Sequence, residues 1–291
     1  MYTGMHFHWA SLVAALLSFV MAVKCISPLG ELYLKTVASA VTGILLETDA
    51  YVPGTGNAST LKRQPFNLDR RIQGLDWPTF GYTMVGERRL ANVRHVLEQC
   101  LMHNVPGDFV ECGVWRGGSS IYAKAVLTAH HAEGRRVVLV DSFDGLPKAE
   151  LAVDSDVWSM MHYLRVSQQQ VRAHFKHFGL LDDNVVFVQG FFKISAPKLA
   201  SDLRAANRQI AVLRLDGDMY QSLADCLYNL YEYVAIGGFV IIDDWSIKVA
   251  MNAVEDFRSL YNITDELHTI DWTGVFWRKT KQVLVNTTQR S

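Results

Sequence analysis

The chain lacks a dominant charge: 28 basic against 29 acidic residues leave a net charge of -1. Without a basic stripe there is no electrostatic footprint for nucleic acid or for an anionic membrane surface, which argues against both as partners. Cysteine is sparse as well. Cys25, Cys100, Cys112 and Cys226 form neither a metal-ligand spacing nor a disulfide framework. Cys112 and Cys226 lie in apolar stretches, where a thiol behaves as a small hydrophobe. No internal repeat occurs. The uncharged apolar run at 9–23 (WASLVAALLSFVMAV) falls short of the roughly 20 residues that a helix needs to cross a bilayer. It suits the core of a signal peptide, yet no Lys or Arg precedes it, and Lys24 and Lys35 follow it. Residues 1–25 are therefore read as a cleaved signal or a retained anchor. This places the protein in the secretory pathway or at a membrane, or in the cytoplasm if the run is not a targeting signal. Glycosylation triplets at Asn57, Asn262 and Asn286 lean toward a secretory glycoprotein.

At 291 residues and 49% apolar content the chain can bury one substantial core, so one catalytic domain is expected. Residues 26–47 have the spacing of an amphipathic or juxtamembrane helix. Residues 51–60 (YVPGTGNAST) have the composition of a linker. The segment 26–65 thus precedes a domain over 66–291, in which 66–105 forms a helical cap, with a helix at 87–103, and 106–291 a Rossmann-like core. In that core, runs at 108–114, 136–141, 185–189, 210–216 and 238–243 read as strands. Helical stretches at 119–130, 167–179, 196–205, 220–234 and 247–261 alternate with them. The fold class is α/β: a parallel sheet covered on both faces. A short link between 266–270 and 274–278 makes the last pair antiparallel.

Two strands end in carboxylates, at Leu215-Asp216-Gly217-Asp218 and at Ile242-Asp243-Asp244, and strand ends are where open parallel sheets bind ligands. Asp218 and Gln221 have capping-box spacing, so Asp218 reads as a helix cap. Asp216, Asp243 and Asp244 would repel one another unless a hard cation such as Mg²⁺ sits between them.

The first strand runs into Glu111-Cys-Gly113-Val-Trp-Arg-Gly117-Gly118-Ser119-Ser120, a glycine-rich turn opening a helix. A dinucleotide fingerprint keeps that turn free of acids so that pyrophosphate can approach the helix N-terminus, and Glu111 would repel it. S-adenosylmethionine carries an ammonium and a sulfonium and no phosphate, so it suits an acid there. Asp141, followed by Ser142, ends the second strand and can accept ribose hydroxyls. Gly190, with Phe191 beside it, follows the third strand, so Glu111, Asp141, Gly190 and Asp216 fall at successive strand ends of one crevice.

At these residues the chain resembles the macrocin and mycinamicin O-methyltransferases, which methylate a sugar hydroxyl using S-adenosylmethionine and a divalent metal. The shared motifs include Gly74-Leu-Asp-Trp-Pro78, Thr83-Met-Val-Gly86, Val105-Pro-Gly-Asp108, Asp141-Ser-Phe-Asp-Gly-Leu-Pro147, Leu215-Asp-Gly-Asp-Met-Tyr220 and Asp243-Asp244. Cys112 and Trp245 stand where the family pattern has threonine and tyrosine. The resemblance spans roughly Arg70 to Lys279. It implies a class I methyltransferase sheet and a cofactor along Glu111 to Ser120, with Gly113, Gly117 and Ser119 in that stretch, and Asp141. It also implies a metal on Asp216, Asp243 and Asp244, and a lid at Thr83 and Met84.

The expected chemistry is methyl transfer to a hydroxyl of a sugar or other vicinal diol, with Asp216 accepting the proton of a hydroxyl whose pKa a bound Mg²⁺ lowers. His162, His174, His177 and His268 are alternative bases. The rival reading is a non-catalytic membrane-tethered or luminal binding module on the same fold. A nicotinamide oxidoreductase is disfavoured by Glu111 and the missing third-glycine spacing. A small-molecule hydroxyl acceptor is the expected partner, with membrane contact only through the N-terminal segment. Self-association into a homo-oligomer is left open.

Overall fold

The structure, a computed structural model, describes residues 26–54, 57–132 and 134–286. Helix α1 (Pro28–Val41) starts where the Ser27 hydroxyl accepts the Gly30 N–H at 3.1 Å, a standard N-cap with proline in the first turn. It ends six residues before the expected Glu47, because Gly43 turns the backbone to φ +75° directly after the Thr42 C-cap. Its buried face is Leu34, Val37 and Val41, at helical spacing.

The stretch expected to be a linker is a hairpin. Strands β1 (Ala50–Gly54) and β2 (Asn57–Gln64) pair antiparallel, Ala50 opposite Gln64, and β3 (Trp77–Pro78) takes the other edge of β1. Pairing overrides the turn-rich local composition. Helices α2 (Leu68–Gln73) and α3 (Glu87–Met102) follow. The break expected near residue 66 is crossed by a buried guanidinium: Arg71 of α2 donates to Thr42 O and Thr48 O, both at 2.8 Å, and to Asp76 at 2.6 Å. Thr42 and Thr48 are thereby tied to α2 across that expected boundary.

The main sheet holds β4 (Asp108–Cys112), β5 (Val137–Asp141), β6 (Val185–Gln189), β7 (Ile210–Leu215), β8 (Val234–Ile242), β9 (His268–Thr269) and β10 (Val275–Arg278), in the order β6-β5-β4-β7-β8-β10-β9. The first five strands in that order run parallel; β10 pairs antiparallel with β9, as the short link between them requires, and antiparallel with β8 on its other side. β8 begins earlier than expected, since the preceding helix stops at Leu230 and a 3-10 turn, Tyr231–Tyr233, intervenes.

Helices cover both faces. On one side α1, α3, α4 (Gly118–Ala129) and α5 (Gln168–His177) pack against Phe109, Leu139 and Ile241. On the other side α6 (Phe192–Ala205), α7 (Tyr220–Leu230) and α8 (Lys248–Leu260) pack against Val110, Val138 and Val240. The period-two alternation sends neighbouring strand residues to opposite layers. Among the described residues no helix is long and apolar enough to cross a membrane. The apolar run at 9–23 lies outside the described residues.

Candidate active site

The ends of β4, β5, β7 and β8 meet at one rim. The parallel ladder continues past the strands, with Asp216 N donating to Cys112 O and Asp243 N to Leu215 O, both at 2.9 Å. Gly113 follows β4 at φ +88°, where a Cβ would stand 1.7 Å from the Asp216 carbonyl oxygen. Only glycine allows the two chain segments to approach this closely.

Four acids crowd the rim, in two groups. Oxygens of Asp216, Asp218 and Asp244 all lie within 4.8 Å of one another. Asp244 Oδ2 also accepts the backbone N–H groups of Gly217 and Asp218, each at 2.9 Å. Asp243 sits deeper, one oxygen on Arg214 and the other on Arg89, which in turn bonds Asp271 at 3.0 Å. Of the expected trio of Asp216, Asp243 and Asp244, the structure brings Asp216 and Asp244 together with Asp218, while both oxygens of Asp243 are held by guanidinium groups. Asp218 is not the helix cap: Met219 occupies that position, and Asp218 adopts φ +58°.

Charge follows this division. Burial raises the pKa of Asp216, and Asp243 and Asp244 add to it, so it lies well above the usual carboxylate range. Burial does the same for Asp244, reinforced by Asp218 and Asp243. Asp218 is pushed up to about 8 by burial and by the charges of Asp216 and Asp243. Against its own burial, Asp243 is held below the ordinary range by Arg214 and Arg89. An oxygen-only cluster whose carboxylates raise one another's pKa suits a hard divalent cation, which relieves the repulsion.

A cavity of about 410 Å³ opens beside the cluster. Of the residues expected at the cofactor, Met84, Gly113, Asp141, Ser142 and Phe191 line it, together with Asp216 and Asp218. Thr83, Glu111, Gly117, Ser119 and Gly190 do not. Glu111 is the main departure. It lies one residue inside β4, on the face under α4, fully buried, with Arg214 at 2.5 Å on one oxygen and the Ser120 hydroxyl on the other. Its carboxylate is a partner of Arg214, which also reaches Asp216 at 3.0 Å. Gly190 supports the wall from behind, its N–H donating to Asp141 O at 2.8 Å. Asp141 accepts the N–H groups of Val114 and Phe143, each at 2.7 Å, which fixes the turns after β4 and β5 around the cavity.

The model of the family described as Macrocin-O-methyltransferase (TylF) matches residues 33–279. The chain belongs to that family. It is an O-methyltransferase by this membership. It is 48% identical over 219 residues to 8-demethyl-8-(2,3-dimethoxy-alpha-L-rhamnosyl)-tetracenomycin-C 4'-O-methyltransferase of Streptomyces olivaceus, covering 74% of this chain and 82% of that one. Mycinamicin III 3''-O-methyltransferase of Micromonospora griseorubida is 37% identical, covering 86% and 96%. Among solved structures, the O-methyltransferase NovP superposes with a TM-score of 0.77 at 37% identity, over 87% of this chain and 100% of that one. The calicheamicin methyltransferase CalS11, at 17% identity and TM-score 0.56 over 96% and 98%, shares the fold. The sheet is that of class I S-adenosylmethionine-dependent methyltransferases. The reading as a non-catalytic binding module gains no support from these relatives.

Sequence reasoning did not single out Trp115, which lines the cavity of this O-methyltransferase at φ +47° with its indole N–H on Tyr163 O at 3.1 Å. It also missed Leu146 and Pro147, which carry the cavity wall into the loop after β5. The Asp141 to Pro147 motif was the available signal. None of His162, His174, His177 and His268 lines the cavity, and His174 is bonded through Nδ1 to Arg116 O at 2.9 Å.

Proposed function

We propose that this enzyme transfers a methyl group from S-adenosylmethionine to a hydroxyl of a sugar or other vicinal diol, with a divalent cation such as Mg²⁺ at the acidic rim. The observation that carries this reading is the shared cavity: Asp141 and Ser142 form one wall of it, and Asp216 and Asp218 another. The tetracenomycin relative is named for methylation of a rhamnosyl compound, which supports a sugar acceptor.

The residues present fit both groups. Asp141 and Ser142 would face the ribose end of the cofactor, and Met84, Trp115 and Phe191 would give its apolar surroundings. Asp216 and Asp244 belong both to the expected ligand set and to the cluster with Asp218. Asp243, the third member that the family resemblance implies, would complete the set with lone pairs that its guanidinium partners leave free, since a carboxylate offers about four acceptor sites. Bound at these positions, the sulfonium supplies an electrophilic methyl group and the cation lowers the pKa of an acceptor hydroxyl.

The chain's own work is then proton transfer and exclusion of water. Of the four rim acids, Asp216 and Asp218 line the cavity, and Asp216 already shares its charge with Arg214 at 3.0 Å. Asp218 is therefore the better proton acceptor, in place of the Asp216 expected from sequence. Leu146, Pro147, Leu164 and Phe192 keep the acceptor end apolar, which strengthens every charge interaction inside. The test is incubation with S-adenosylmethionine and a panel of rhamnosides, other deoxysugar glycosides and catechols, with mass spectrometry of the products. A methylated glycoside supports the reading, and methylation confined to compounds without neighbouring hydroxyls refutes it.

A further inference from the structure

The backbone amides from Asp216 to Gln221 can be followed one by one. Asp216 donates to Cys112 O at 2.9 Å, Gly217 and Asp218 donate to Asp244, and Met219 donates to Gly217 O at 2.6 Å. Tyr220 and Gln221 donate to Oδ1 and Oδ2 of Asp154, at 2.7 and 3.1 Å. These two amides open α7, whose own cap residue, Met219, provides no side-chain acceptor. A helix start leaves such amides unpaired until an acceptor is brought to them. Here the acceptor comes from 66 residues earlier in the chain, in the loop between β5 and α5. The same loop carries Leu146, Pro147 and Glu150 along the cavity, and Glu150 pairs with Lys193 of α6 at 2.7 Å.

We propose that Asp154 is a positioning residue for methyl transfer, holding the Asp216 to Met219 turn in the shape that presents Asp216 and Asp218 to the cavity. The proposal rests on the roles given to those two acids above. Asp244 fixes the turn from the β8 side, and Asp154 fixes its far end through two amides and the positive end of the helix. The Glu150–Lys193 pair is more than half exposed at both ends and so contributes little. It joins the loop to α6 without touching the turn, which makes it the control.

The test compares the full chain with Asp154→Ala, Asp154→Asn and Lys193→Ala. Hydrogen exchange of the 216–223 peptide is followed by mass spectrometry, and Mg²⁺ binding by calorimetry. Losing a helix cap corresponds to about a 5–10-fold change, so Asp154→Ala should exchange at Tyr220 and Gln221 about that much faster and bind Mg²⁺ correspondingly more weakly. Asp154→Asn, which keeps an acceptor, should recover most of both, and Lys193→Ala should change neither. Wild-type exchange in Asp154→Ala, or the same loss in Lys193→Ala, would overturn the proposal. If the wild-type chain takes up no Mg²⁺, the metal reading fails, and the exchange rates still decide the role of Asp154.

Discussion

Asp244 accepts the backbone N–H of Asp218 at 2.9 Å, so a residue just past the end of β8 shapes the turn that follows β7. The same oxygen takes the Gly217 N–H. A side chain on one strand end thereby aims the carboxylates of the next.

Replacing Asp244 by alanine leaves those two amides without their partner, at about 1–3 kcal/mol for a buried unsatisfied group. Urea unfolding should show a lower midpoint for Asp244→Ala and a smaller shift for Asp244→Asn, which keeps one carbonyl oxygen. Calorimetry should show weaker Mg²⁺ binding in both.

Arg214 is a buried cation facing Glu111, Asp216 and Asp243. Arg214→Met should lower stability by about 3–5 kcal/mol, because three carboxylates lose their shared counter-charge. The loss in urea midpoint should be smaller in acid, where those carboxylates take up protons.

The acid cluster sets a sign for pH dependence. Asp218 is pushed up to about 8 from an ordinary 3.8 by burial, Asp216 and Asp243. Between those values the folded state holds a proton that the unfolded chain has released, so metal-free stability should fall as pH rises through that window. Mg²⁺ competes with protons on Asp216 and Asp244, whose carboxyls are raised as well, so the stabilisation it gives should grow over that window. Thermal melts with chelator and with Mg²⁺ across that window check both slopes, and Asp218→Asn should flatten the first.

The cofactor end separates two acids that look alike in sequence. Asp141→Ala should weaken S-adenosylhomocysteine binding by about 1.5–3 kcal/mol, the scale of a charge-assisted hydrogen bond. Glu111→Gln should lower the melting temperature and leave that affinity nearly unchanged, since Glu111 faces Arg214 and Ser120. Calorimetry with both variants distinguishes these outcomes.

The alternation of strands and helices was legible because periodicity is local, and it located the strand-end rim. The glycine-rich turn and the paired acids were legible for the same reason. Three things were not. Glu111 lies one residue before the strand end, and a shift of one residue sends a side chain to the opposite face. The division between Asp218 and Asp243 depends on Arg89, which approaches from α3 across 154 residues of sequence, and no local pattern encodes such a contact. The strands β1 and β2 were hidden by the Gly, Ser and Asn content of that stretch, which strand pairing overrides.

The central claim is metal-assisted methyl transfer at the acidic rim, and the most direct measurement is the initial rate of glycoside methylation against free Mg²⁺. It is made for the wild-type chain, Asp216→Asn and Asp218→Asn, with bound Mg²⁺ and S-adenosylhomocysteine measured in parallel. A chelator should abolish the wild-type rate and Mg²⁺ should restore it. Asp216→Asn should require more Mg²⁺. Asp218→Asn should lose about 10²–10⁴-fold in rate while still binding both ligands, as removal of a general base does. A wild-type rate that survives the chelator, or an undiminished rate in Asp218→Asn, would contradict the account.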